Sequence, residues 1–263
     1  MSEATPLDRA FAAMEASPED DGARLRFYER LADAELFLLL EKDIEDDNIS
    51  PEVFETSDAS FVLVFDTEER LSTFVGRVAA YAAMSGRIIA GMLAGQGIGL
   101  AVNPEVAPSA ILIPPEAVGW LRETLTHTPD EVEARPESFS APAGLPDILL
   151  TALDAKLSTA AGLARMAYLV GITYDSGAKS HLLGFVDALP EAQSALAKAV
   201  NEALTFSGIE AGALDVGFFA ASDPVAGHLA RSGLRFDLPE PELPQDYAPA
   251  PPGSDPDNPP KLR

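Results

Sequence analysis

Few side chains in this sequence have the types and the spacing that catalysis or metal binding requires. The three histidines, His127, His181 and His228, stand far apart, so no pair has the short spacing of a metal site. The chain has no cysteine, which excludes disulfides, thiol catalysis and cysteine-ligated zinc. The sequence therefore predicts no catalytic residue and no metal ligand.

A glycine run, formed by Gly95, Gly97 and Gly99, invites comparison with a nucleotide-binding loop. Such a loop lies between a strand and a following helix, where backbone amides at the helix start face the phosphates. Here the apolar pattern places a helix before the glycines and a strand after them. The glycines are predicted to end that helix, and no cofactor is expected.

Two further patterns resemble reactive or ion-binding motifs. Ser176 and Lys179 fit the S-x-x-K spacing of serine acylases, but Asp-Ser-Gly is typical of a hairpin turn and both companion motifs are missing. The acidic run at 43–47 resembles a calcium loop, yet Asn48 and Phe54 stand where an EF-hand needs glycine and glutamate. Both segments are predicted to be solvated turns.

The stretch 98–120 is the segment around which the first half of the chain is predicted to be built. It indicates a strand, an Asn103-Pro104 turn, a second strand and a helix that begins at Pro115. A conformational role is favoured for this turn, and the alternative is an interaction turn formed by Asn103 and Pro104, whose backbone and amide groups are available to a partner. The single tryptophan, Trp120, is predicted to be a core residue.

Charge and hydropathy limit the classes of partner. The chain has 18 basic and 42 acidic residues and a net charge of −24, which repels phosphate backbones and anionic lipid. We therefore expect no nucleic-acid and no membrane partner. The N-terminus has no apolar signal segment, and no apolar run reaches the roughly 18 residues of a spanning helix. A cytoplasmic protein is expected.

Apolar periodicity predicts an α+β protein of two small domains, each a mixed or antiparallel sheet covered by helices. The first domain is placed at residues 1–125. Its helices are predicted at 6–17, 20–34, 87–94 and 115–125, and its strands at 35–42, 52–56, 60–65, 77–84, 98–102 and 110–113. The segment 77–84 also fits a helix, and a strand is favoured because Ser85-Gly86 ends it. Asp66 is expected to cap a further helix, with Glu69 reaching back to it.

The second domain is placed at residues 145–238, after a polar linker at 126–144 that lacks periodicity. From Met166 to Tyr174, large side chains alternate with a second set of residues, and this period of two predicts a long strand. A turn and a returning strand are predicted to follow it. Its helices are predicted at 145–160, 190–206 and 222–233, and its strands at 166–174, 180–186, 214–218 and 234–237. This order implies an antiparallel sheet. Residues 239–263 are rich in proline and acids, and a disordered, solubilising tail is expected, with a docking ligand for a proline-reading partner as the alternative.

Several segments resemble the SseB family, the "enhanced serine sensitivity" proteins. In the first half these are FYERLADAELFLLL at 27–40, FVLVFDTEERLSTF at 61–74, SGRIIAGMLAGQGIGLAVNPE at 85–105 and ILIPPEAVGWL at 111–121. In the second half, ARMAYLVGITYDSGAKSHLLGFV at 164–186 and the SDPVAGHLARSGLRFD end are similar to the family's C-terminal domain. The acidic tail is not part of the family pattern.

The resemblance implies a cytoplasmic bacterial protein of two small domains and brings no catalytic residue with it. The family name records a phenotype linked to serine rather than a reaction. The expected function is a non-catalytic protein-interaction or regulatory module, loosely linked to serine metabolism, with an unidentified protein partner. A sensor that binds a small amino-acid ligand without catalysis is the alternative, and an enzyme of unrecognised type is a third hypothesis.

Overall fold

The computed structural model describes residues 4–43, 49–57, 59–127, 136–209 and 214–240. Within these ranges the chain forms two mixed sheets covered by helices, which confirms the α+β prediction. The described helices include none that is long and apolar enough to cross a membrane. Most of the acidic run at 43–47 and of the predicted tail lies outside the described residues.

Both halves of the chain combine helices and strands. The elements of the first half are α1 (Pro6–Ala16), α2 (Asp21–Asp33), β1 (Glu35–Leu39), β2 (Val53–Glu55), β3 (Ser60–Phe65), α3 (Glu68–Val75), β4 (Tyr81–Ser85), α4 (Gly86–Leu93), β5 (Ile98–Val102), β6 (Ile111–Ile113) and α5 (Pro115–Thr126). Those of the second half are β7 (Pro136–Ser140), α6 (Asp147–Ser158), β8 (Met166–Tyr174), β9 (Lys179–Val186), α7 (Gln193–Phe206), β10 (Asp215–Phe219), α8 (Pro224–Ser232) and β11 (Leu234–Asp237).

The first sheet has the strand order β4-β1-β3-β5-β6, and β2 pairs with the first half of β3. β3 and β5 run parallel, whereas the other pairs are antiparallel. A parallel pair needs a crossover connection, which α3, β4 and α4 supply. One face of the sheet buries Leu38, Val64 and Leu100 against α2, α4 and α5, and the other packs Phe65 against Leu71 of α3.

The second sheet has the order β10-β9-β8-β11, with β7 also paired to β8. β9 takes one edge of β8, while β11 and β7 share the other edge along its first and second halves. Helices α6 and α7 cover the face that contains Leu169, and α8 covers the face that contains Val170. Both faces of β8 are therefore buried, as the apolar content of this long strand predicts.

The two domains share apolar contacts. Phe206, at the end of α7, is fully buried in the hydrophobic core of the first domain. Trp120 packs edge-on against Phe206 and Tyr28, with ring centroids 6.3 and 5.4 Å away, and remains 38% exposed. The prediction that Trp120 is a core residue is therefore wrong, because this side chain lies at the rim of the contact between domains.

Three local features differ from the sequence prediction. The cap of α3 is Thr67, whose hydroxyl accepts from the Arg70 N–H at 3.2 Å, because the Asp66 carboxylate is bound to the Arg70 side chain. The second sheet is mixed, since β10 runs parallel to β9. Strand β7 lies inside the segment 126–144, and its mostly exposed side chains leave no apolar alternation in the sequence.

Gly86 permits the close approach of α4 to α2. A Cβ at this position would lie 2.0 Å from the carbonyl oxygen of Leu31, which no side chain can occupy without moving backbone. Gly86→Ala should therefore lower the free energy of unfolding by about 2 kcal/mol or more. Urea denaturation measures this, with Gly91→Ala in the same helix as the control.

A Cβ at Gly91 meets no atom within 4 Å, so helix propensity alone should make Gly91→Ala neutral or stabilising by about 0.5–1 kcal/mol. Equal stabilities of the two variants would contradict the packing of α4 on α2.

Candidate functional site

The predicted interaction turn begins at Asn103, which is fully buried directly after β5. Its backbone has a φ of 47°, a left-handed conformation that asparagine tolerates better than most residues. Its N–H donates to the Val64 carbonyl at 2.8 Å, and its Oδ1 accepts from the Asp66 N–H at 3.1 Å. Its Nδ2 donates to Ser109 Oγ at 2.9 Å. The amide of Asn103 is thus occupied within the domain. Pro104 is half-buried, so part of its side chain remains accessible to a partner. An interaction role for the turn therefore stays a prediction.

A buried polar network continues from this turn to α1 and α3. Ser109 Oγ donates to Asp8 Oδ1 at 2.6 Å, and Asp8 also accepts from the Thr5 N–H at 3.0 Å. The Arg70 guanidinium lies between two carboxylates, 3.0 Å from Asp8 Oδ1 and 2.8 Å from Asp66 Oδ1. These contacts hold the first helix, the start of α3 and the turn after β5 together.

The protonation of Asp8 is set by this network. Burial alone would raise the pKa of Asp8, but the hydrogen bonds from Arg70, Ser109 and Thr5 outweigh it and hold that pKa well below its usual range. The same carboxylates raise the pKa of Arg70 above its usual value despite burial. The charges of Asp8 and Arg70 therefore stabilise each other.

The other sequence motifs also have local structural roles. Gly95 and Gly97 have φ values of 80° and 71° directly after α4, which confirms that they end a helix rather than begin one. His181 contacts the Ala143 carbonyl at 3.0 Å, and His228 stacks on Phe139. Within the described ranges, no three histidine, aspartate or glutamate side chains are grouped closely enough to hold a metal ion.

A second ionic cluster crosses the contact between the domains. Lys156 of α6 places its Nζ 2.6 Å from Asp33, 3.1 Å from Glu202 and 3.5 Å from Glu29. Arg87, in the first turn of α4, contacts Asp33 and binds both carboxylate oxygens of Glu202 at 3.1 Å. Three of these side chains belong to the first domain and two to the second, so the cluster fixes the domains relative to each other.

Charge pairing in this cluster outweighs the cost of burial at most positions. Burial would lower the pKa of Lys156, but Asp33, Glu29 and Glu202 raise it overall. Burial would raise the pKa of Asp33, but Lys156 and Arg87 lower it overall. Glu29 is the exception, because burial raises its pKa more than Lys156 lowers it.

The outer edge of β4 is an open edge of the first sheet. Leu40 N–H donates to the Ala80 carbonyl, and Gly86 N–H to the Ala34 carbonyl, each at 3.0 Å. An antiparallel ladder bonds every second residue, so Ala82 also faces β1 and the backbone groups of Tyr81 and Ala83 point outward. In the described ranges no further strand pairs with this edge.

The residues at this edge are uncharged. Strand β4 reads YAAMS and contains no proline, although natural sheets commonly protect open edges with charges or proline. Val78, just before the strand, is 97% exposed. Tyr81 lies half-exposed against Phe37, with ring centroids 5.5 Å apart. This edge presents unpaired backbone groups beside the apolar side chain of Val78 and the ring of Tyr81, whose hydroxyl bonds to Glu68. The sequence favoured a strand over a helix at 77–84 because Ser85-Gly86 ends the segment, but it gave no sign that the outer edge of this strand is free.

Asp8→Asn tests the first network. Loss of the carboxylate leaves buried Arg70 with Asp66 as its remaining carboxylate partner, so the free energy of unfolding at pH 7 should fall by roughly 2–4 kcal/mol. The pKa of Asp8 is lower in the folded protein, so the unfolded chain takes up this proton first as the pH falls.

The contribution of Asp8 is thus complete above the ordinary aspartate pKa of roughly 4 and is lost as the pH falls towards the folded pKa. Urea titrations at pH 7 and pH 3 measure this contribution. The difference in free energy of unfolding between wild type and Asp8→Asn should be smaller at pH 3 than at pH 7. An equal difference in free energy of unfolding at both pH values would contradict the ion pairing of Asp8.

Lys156→Met tests the cluster between domains. The substitution preserves most of the side-chain volume but leaves Glu202, only 3% exposed, with Arg87 as its remaining cation. We expect a loss of about 2–4 kcal/mol in the free energy of unfolding. The control is Lys179→Met, since Lys179 is exposed on β9, and its change should stay within roughly 0.5 kcal/mol. Similar small changes in both variants would show that the cluster is not a stabilising contact.

Comparison with known proteins identifies the first domain. Residues 7–120 match the family model described as "SseB protein N-terminal domain", from α1 to the middle of α5. No curated protein and no solved structure matches the chain significantly. The similarity of the second half to the family's C-terminal domain stays a prediction. The first domain of this chain, over residues 7–120, is therefore an SseB protein N-terminal domain.

Proposed function

We propose that the protein is a non-catalytic, cytoplasmic protein-interaction module with a regulatory role loosely linked to serine metabolism. Its partner docks an extended segment along the outer edge of β4. The observation that carries the proposal is the open, uncharged edge whose outward backbone groups belong to Tyr81 and Ala83. Strand addition at such an edge is a recurring mode of peptide recognition, because main-chain hydrogen bonds supply affinity without new side-chain pockets.

Side chains beside the edge favour an apolar contact. Tyr81 and Ala83 lie on the sheet face that also contains Phe37, and Val78 adds an almost fully exposed apolar group three residues before the strand. A docked strand alternates its side chains between the two faces, so every second residue of the partner would lie beside Tyr81 and Ala83. The partner segment is therefore expected to be apolar at alternate positions.

Charge defines the flanks of the partner. The chain has a net charge of −24, so an approaching basic segment is attracted and an acidic one is repelled. Long-range attraction of this kind mainly raises the association rate and weakens with salt. The docked segment is therefore expected to have basic residues on either side of its apolar positions.

Ala83→Pro tests the docking edge. Proline removes the outward N–H of residue 83 and leaves the bonds of Ala82 to β1 in place, so the variant should fold while losing strand addition. Immobilised full-length chain is incubated with lysate at low and high salt, and retained proteins are compared between wild type and variant. The proposal requires a retained protein that Ala83→Pro loses and salt weakens.

The matched control is Ala83→Val, which retains the N–H and suits a strand at this exposed position. It should retain the same partner as the wild type, with both variants melting within a few degrees of the parent. Identical retained proteins for Ala83→Pro and wild type would refute docking at β4.

A further inference from the structure

A cleft with a volume of about 450 Å³ opens between the two domains. Helices α1 and α2 line it from the first domain, and α6 and the residue after α7 line it from the second. Much of its lining is small and apolar, namely Ala10, Ala13, Ala23, Ala152 and Ala155. Small side chains leave room, and a cleft of this size is in the range that binds small molecules.

Three arginines line this cleft in a chain where acids outnumber basic residues by 42 to 18. Arg26 and Arg30 are one turn apart on α2, and Arg9 comes from α1. Arg26 contacts Asp20 at 3.3 Å in a half-exposed pair, and Arg9 donates to the Ala4 carbonyl at 2.6 Å. Arg30 forms no salt bridge within the described part of the chain. The cleft is thus a locally cationic site on a strongly anionic surface, which concentrates small anions there.

The hydroxyl group of Ser207 is an independent indication that a polar ligand binds in the cleft. It lines the same cleft directly after α7 and is only 8% exposed. Its N–H is satisfied by the carbonyls of Ala203 and Leu204, but its hydroxyl has no hydrogen-bond partner among the described residues. A buried hydroxyl without a partner is unfavourable by roughly 1–3 kcal/mol, and such groups in native proteins call for an explanation. A polar ligand in the cleft supplies one.

The cleft also contains one carboxylate. Glu29 lies on α2 between Arg26 and Arg30 and lines the same cleft. Lys156 approaches it from the second domain at 3.5 Å, the longest contact that Lys156 makes in its ionic cluster. A ligand with only negative charge would be repelled by Glu29, and one with only positive charge by the arginines. A ligand that carries both charges satisfies both kinds of group.

We propose that this cleft binds a small zwitterion with a carboxylate and an ammonium group, the chemistry of a free amino acid. The ligand carboxylate pairs with Arg30 and the neighbouring guanidinium groups, because arginine binds carboxylates through paired hydrogen bonds. The ammonium group lies towards Glu29, and Ser207 provides a hydroxyl for one of the polar groups. The site uses none of the residues of the β4 edge.

Binding is measured by thermal shift and calorimetry on the full chain with the twenty standard amino acids. Each amino acid that binds is compared with the amine that lacks its carboxylate and with the acid that lacks its amino group. We expect at least one amino acid to raise the melting temperature of the protein. The affinity of each single-charge probe should be lower than that of the amino acid by roughly tenfold or more. No shift with any amino acid would refute the proposal, as would equal binding of the acid alone.

Two arginine variants locate the site. Arg30→Ala removes a side chain that makes no salt bridge in the described structure, so the variant should fold normally. Its affinity for the amino acid should fall by about tenfold or more. Arg122→Ala, at an exposed position of α5, is the matched control and should bind within about twofold of wild type. Equal affinity of both variants would refute the cleft as the site. Ala83→Pro should leave amino-acid affinity unchanged, which separates this outcome from that of partner docking.

Discussion

The position of one buried lysine determines how the two domains meet. The Lys156 side chain is 9% exposed, and an unpaired charge so deep would be unfavourable by several kcal/mol. The second domain supplies Glu202 as one partner, but the other two carboxylates, on Glu29 and Asp33, come from α2 of the first domain. Helix α2 packs on α7, and it can therefore meet the second domain only in the orientation that brings these carboxylates to the lysine. Phe206 adds apolar burial at the same junction, a contact that favours association but is less directional.

Much of the fold could be predicted because apolar periodicity reports which side of an element is buried. The bounds of β8 were predicted to the residue, since alternation and the following turn mark both ends. Periodicity carries no information about which strands become neighbours. The parallel pairing of β3 with β5, and of β9 with β10, follows from crossovers that the sequence pattern leaves open. Strand β7 was not predicted because its side chains are mostly exposed and one neighbour holds it by backbone hydrogen bonds.

Residues that act through distant partners were harder to predict. Asp66 has the local signature of a helix cap, yet Arg70 and Thr5 bind its carboxylate, and the adjacent Thr67 caps the helix instead. Asp8 bonds to Ser109 across 101 positions of the chain, a distance over which local spacing predicts nothing. The cleft between domains gave one usable sign in the sequence. Arg26 and Arg30 have the i, i+4 spacing that places two cations on one helix face, but the wall opposite them belongs to another domain.

Ion pairs lead from the proposed cleft site to the start of α4, the helix that directly follows β4. Glu29 lines the cleft and contacts Lys156, Lys156 contacts Asp33, and Asp33 contacts Arg87. Arg87 lies in the first turn of α4, two residues after the end of β4, so the series of charged contacts runs from the cleft to the helix that follows the strand with the open edge. An ammonium group beside Glu29 would compete with Lys156 for that carboxylate and alter the balance of the whole cluster. If occupation of the cleft changes the affinity of β4 for a partner, the partner must change the affinity of the cleft by the same factor. A sensor and an interaction module are therefore compatible proposals for one molecule, since the ionic cluster includes Glu29 of the cleft and Arg87, which stands two residues after β4.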